Sequence, residues 1–171
     1  MKILKLIPIL LLLFGIYPYK SLVHAEVSNT KDYKVLSSNN KKLSTAKVEY
    51  YLKQGDKSIG NGDFDKAKEF YLDARELAKQ MARFYSDLNN VFLGVDARIP
   101  NEMQMKGKET LQILAKSNER LASLYIKNNN PEVAVPLLIE NIRIMSPDSP
   151  EGKEAYKKLI KLGFVETKYK G

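Results

Sequence analysis

Residues 64–92 read FDKAKEFYLDARELAKQMARFYSDLNNVF. Phe64, Ala67, Phe70, Tyr71, Ala74, Leu77, Ala78, Met81, Phe84, Tyr85, Leu88, Val91 and Phe92 recur there at steps of three, three and one. That spacing puts every one of them on a single stripe of an α-helix, with charged residues opposite. One unbroken amphipathic helix is expected over the whole stretch. Its aromatic residues are read as core packing rather than as a ligand groove. The stripe is too long for one short partner helix, so it must pack against something beyond its own hairpin.

The flanks supply that packing. Upstream, Gly60-Asn61-Gly62 forms a turn, because Gly and Asn tolerate positive φ, and Asp63 caps the long helix. Before the turn, Ser44 caps a helix running to about Ile59, with Val48, Tyr51, Leu52, Gly55 and Ile59 on one side. Downstream, Gly94 to Pro100 breaks the pattern. Asn101 with Gln104 has the spacing of a capping box, so a third helix is expected from there through Lys127. Leu111, Leu114, Leu121, Ala122 and Tyr125 would point inward, and Gly107 weakens the first turns by about 1 kcal/mol relative to Ala. Asn128-Asn129-Asn130 ends that helix, and Asn130 and Pro131 open a fourth. Pro136 lacks the amide that would bond back to Glu132, which predicts a kink. Ser149 and Pro150 open a fifth helix whose Tyr156, Leu159 and Ile160 would cover the open end. Gly163 would stop it, with Phe164 and Val165 folding back on the last turn. No strand pattern competes, and the expected class is all-α with about five helices.

Two parts of this arrangement share one spacing, 67 residues apart. Gly55, Ala67 and Tyr71 correspond to Ala122, Ala134 and Leu138, accompanied by Gly62, Phe64 and Ala74 in the first copy and by Tyr125, Pro131 and Pro147 in the second. Small residues at these points let two antiparallel helices approach closely. The pattern resembles the tetratricopeptide repeat (TPR), a helix–turn–helix unit of about 34 residues. Ser58 and Lys79 stand where that repeat usually has Tyr and Pro, and Asn141 stands where it has Ala. Residues 79–116 carry no repeat of their own. Asp96 to Gln104, Ser149 to Gly152 and Gly163 to Glu166 are also similar to small exported TPR-like proteins of cyanobacteria, which implies a periplasmic or thylakoid-lumen location.

The resemblance implies a scaffold that binds through the first helix of each pair. The groove residues would be Glu49, Leu52, Asp56 and Ile59, then Lys116, Glu119, Ser123 and Ile126. Glu49 and Asp56 disfavour a grip on a partner's terminal carboxylate, and an extended or helical segment fits better. Asp96 and Arg98, in the break at 94–100, form a secondary candidate, although they can also pair with each other across the turn.

Composition narrows the chemistry. The chain of 171 residues has no Cys, which excludes disulfides, lipid-modified Cys and thiolate metal sites. Residues 1–25 have the arrangement of a signal peptide: basic Met1 to Lys5, an apolar run from Leu6 to Ile16, then Val23-His24-Ala25. The alternative is an N-terminal anchor through residues 3–19. Cleavage after Ala25 would remove the only His and leave a net charge of +5 on 146 residues. No catalytic residue, cofactor or metal is therefore expected. Residues 26–43 read as a flexible polar linker, 44–165 as the helical domain and 166–171 as a basic tail. Lys153, Lys157, Lys158, Lys161, Lys168 and Lys170 make the C-terminal end basic. An anionic membrane surface or an acidic partner suits them better than nucleic acid. The expectation is an exported monomeric adaptor that binds a protein, in assembly of a membrane or envelope complex. Its alternative is a membrane-surface protein held by the leader and the basic C-terminal helix.

Overall fold

The computed structural model describes residues 42–170, which form five helices and no strand. These are α1 (Thr45–Gly60), α2 (Phe64–Phe92), α3 (Arg98–Lys127), α4 (Pro131–Met145) and α5 (Pro150–Lys161). The expected leader and the linker up to residue 41 lie outside the described residues. No described helix is long and apolar enough to cross a membrane.

Local chemistry sets most helix ends. Ser44 accepts a hydrogen bond from the Lys47 amide at 3.2 Å, Asp63 from the Lys66 amide at 3.1 Å and Ser149 from the Gly152 amide at 2.9 Å. Each satisfies an amide that the helix itself leaves unpaired. At the end of α5, the Gly163 amide bonds to the Ile160 carbonyl and the Phe164 amide to that of Leu159, with Gly163 at φ +75°. Val165 then folds back on the last turn, while Phe164 stays exposed.

The start of α3 corrects the sequence reading. The helix begins at Arg98, and the Asn101 amide already bonds to the Ala97 carbonyl. Asn101 is therefore helical and makes no capping box. Pro100 occupies the third helical position, where a missing amide costs nothing, so it does not delay the helix. Asn130 also makes no side-chain cap at the start of α4, although Pro131 does take the first position. α4 continues past Pro136 to Met145.

The two hairpin turns repeat each other bond for bond. The Asn61 amide bonds to the Lys57 carbonyl, that of Gly62 to Ile59 and that of Asp63 to Ser58. In the second hairpin Asn128 bonds to Leu124, Asn129 to Ile126 and Asn130 to Tyr125, each 67 positions later. The central residue has positive φ in both, +78° at Gly62 and +58° at Asn129. The 67-residue spacing seen in the sequence thus recurs in the two turns, α1–α2 and α3–α4.

Successive helices joined by loops this short pack as antiparallel neighbours. Side chains then tie them into two layers. Asp56 of α1 pairs with Arg120 of α3, and Lys158 of α5 bonds to Glu119 and Ser123 of α3. Behind them, Arg75 of α2 pairs with Glu140 of α4. The α2 stripe is the spine of the core, with Ala67, Tyr71, Ala74, Ala78, Met81 and Tyr85 buried. Val48, Leu52, Leu114, Leu121 and Leu124 pack around it. A second cluster of Ala122, Ala134, Leu138, Ala155 and Leu159 joins α3, α4 and α5. α1 and α4, of 16 and 15 residues, are about half as long as α2 and α3, of 29 and 30. The end of α4 reaches the level of Tyr85 and Met103 with Ile144 and Met145. The long helices continue together beyond it, and Val91, Leu93 and Val95 are exposed near the tip.

Candidate functional site

Gly55 determines how the α1–α3 face is built. A Cβ there would clash with the edge of the Tyr71 ring, so glycine lets that ring cross α1 at this level. The Tyr71 hydroxyl then donates to Asp56 Oδ1 at 2.7 Å. Arg120 approaches the same carboxylate from α3, with Nε at 2.8 Å from Oδ1 and a terminal nitrogen at 3.0 Å from Oδ2. This two-pronged geometry is the strong form of an Arg–carboxylate pair. The Arg120 hydrogen bonds hold the Asp56 carboxyl below its ordinary value of 3.8. Burial, and then the bond to Asp56, push the Tyr71 phenol well above its ordinary range.

Beside this pair lies a cavity of about 430 Å³ lined by Ile59, Tyr71, Glu119, Arg120, Ser123, Leu124 and Lys127. Its charged groups are mostly engaged within the protein. Glu119 accepts from Lys158 at 3.2 Å, and the Lys127 ammonium lies 4.9 Å from the centre of the Phe64 ring. What remains open is an apolar wall, the Ser123 side chain and an ammonium edge. The Ser123 hydroxyl accepts from the Lys158 ammonium at 3.3 Å. Among the described residues no three His, Cys, Asp or Glu side chains converge in a way that could hold a metal.

The predicted groove residues divide. Ile59, Glu119 and Ser123 meet at the cavity, and Asp56 adjoins it through Tyr71 and Arg120. Glu49 is exposed elsewhere on α1, and Lys116 lines a separate narrow crevice against α5 with Glu151 and Glu154. Leu52 is a correction: it is only 4% exposed and belongs to the core. α1 is covered by both α2 and α3, so its buried face is wider than a simple hairpin requires. Ile126 is half-buried against the second apolar cluster. In the α2–α3 loop, Arg98 forms a two-pronged pair with Asp96 at 3.0 and 2.6 Å, and its amide also donates to that carboxylate at 3.0 Å. Those bonds fix the loop internally.

Sequence reasoning passed over a polar network behind the groove. Arg75 donates to Asn118 and to Glu140, both at 2.6 Å. Asn118 donates to Glu140 at 3.1 Å and to Asn141 at 3.0 Å, and Asn141 donates to the Ala115 carbonyl at 2.9 Å. No buried side-chain nitrogen or oxygen among the described residues lacks a partner. A network satisfied in this way fixes the register of α2, α3 and α4. The signal was present in the sequence: Asn118 and Asn141 stand in otherwise apolar helix rows. Set against known proteins, the chain matches no family model, no curated protein and no solved structure.

Proposed function

We propose that this chain is an exported, non-catalytic TPR-like adaptor whose α1–α3 face takes an extended or helical segment of a protein partner. One observation carries the reading: a 430 Å³ cavity lies between the first helices of two repeated hairpins, on a face already held rigid by the Tyr71–Asp56–Arg120 cluster. A preformed concavity with an apolar wall and few polar groups suits a ligand side chain, and little ordering is needed on binding. The export reading rests on the pattern of residues 1–25, and the proposal includes a role in assembling an envelope or membrane complex.

Photo-crosslinking tests the surface. A photoreactive residue at Ser123 should capture a discrete partner from the native envelope fraction, whereas one at Glu69, exposed on α2, should not. Equal capture from both positions, or capture only from Glu69, would contradict the assignment.

A further inference from the structure

The C-terminal tail builds a second cavity, separate from the groove. Residues after Gly163 turn back along α5. The Tyr156 hydroxyl donates to the Thr167 carbonyl at 2.7 Å, and the Tyr169 hydroxyl donates to Asp148 at 2.6 Å. The two rings meet edge-on, with centroids 6.1 Å apart. These contacts hold the tail against the helix and enclose about 430 Å³ lined by Lys153, Tyr156, Lys157, Ile160, Lys161, Lys168 and Tyr169.

Four of the seven lining residues are lysines and none is acidic. Among the described residues none of these four lysines forms an ion pair. Lys153, Lys157 and Lys161 follow one another at every turn of α5, a row of about 12 Å at 1.5 Å per residue. Lys168 closes the opposite wall from the tail. Both phenol hydroxyls are already engaged, so the tyrosines present ring surface instead of hydrogen-bonding groups. Charges gathered in a cleft with apolar walls repel one another and attract a multivalent anion far more than a scattered set would.

We propose that this cleft binds a ligand with clustered phosphate groups, its charges matched by the lysine row and its body held against Tyr156, Ile160 and Tyr169. A soluble polyphosphate carries that chemistry within one molecule, and an anionic phospholipid surface carries it across neighbouring headgroups. The proposal does not depend on the α1–α3 groove.

The full chain is titrated with inorganic tripolyphosphate by calorimetry and with phosphatidylglycerol vesicles by sedimentation, phosphatidylcholine vesicles serving as the neutral control. The double variant Lys157→Gln/Lys161→Gln is compared with Lys53→Gln/Lys57→Gln, which removes the same charge at the same spacing from α1. At least one phosphate probe should bind the wild type and the α1 variant alike, and bind the α5 variant about tenfold or more weakly. The probe that responds names the source. Binding of neither probe, or equal weakening in both variants, would overturn the proposal. Far-UV circular dichroism of the variants excludes loss of fold as the cause.

Discussion

The ring of Tyr71 occupies the space that a side chain on Gly55 would need, and its hydroxyl ends on the neighbouring Asp56 at 2.7 Å. One glycine thus decides how closely α1 and α2 approach and whether the phenol reaches the carboxylate that α3 also uses.

Gly55→Ala should therefore destabilise the domain although alanine is the better helix former. The gain of about 1 kcal/mol in helix propensity is outweighed by moving a buried ring, for a net loss of about 1–3 kcal/mol. Gly60→Ala, in the same helix but with open space around it, should be neutral or stabilising. Urea unfolding followed by circular dichroism compares the two.

Acid should loosen the α1–α3 connection. Asp56 has its carboxyl lowered in the folded state by Arg120, so its contribution is complete above the unfolded value near 3.8 and is lost as pH falls through the folded value. Stability measured downward from pH 5 should fall less steeply in Asp56→Asn than in the wild type. Identical slopes would mean that the pair contributes nothing to folding.

Alkali should act through Tyr71 with the opposite sense. Its phenol is raised by burial and by Asp56, so the folded state disfavours ionisation, and stability should fall as pH rises above the ordinary 10.0. In a spectroscopic titration of the folded protein, Tyr71→Phe should remove a late-ionising phenol.

Asn141→Ala restores the residue that the repeat pattern leads one to expect, yet it should destabilise. It leaves the buried Asn118 amide and the Ala115 carbonyl short of a partner, at a cost of about 1–3 kcal/mol. Combining it with Asn118→Leu should cost less than the sum of the two single changes.

α1, α2 and both turns were legible because each rests on short-range chemistry: a seven-residue apolar rhythm, Ser44, Asp63 and residues that accept positive φ. The start of α3 was not. Asn101 and Gln104 have cap spacing, but Pro100 is harmless in a first turn, and the helix begins before it. The candidate cavity was half legible. Projection onto helix faces named Ile59, Glu119 and Ser123, which line it. It misplaced Leu52, because α3 also covers α1, and it could not name Arg120 as the partner of Asp56 across 64 positions. Asn118 and Asn141 stand out in apolar helix rows, but their partners Arg75 and Glu140 lie on other turns and helices, and only the packing of α2, α3 and α4 names them.

The groove is tested most directly by the affinity of the partner captured at Ser123. Ser123→Trp places an indole in the cavity and leaves the Asp56 and Arg120 side chains themselves unaltered. Calorimetry should show binding weakened by about tenfold or more, with helicity and unfolding midpoint unchanged. Binding that survives Ser123→Trp but disappears when Asp96 and Arg98 are both replaced by alanine would contradict the account and move the site to the α2–α3 loop.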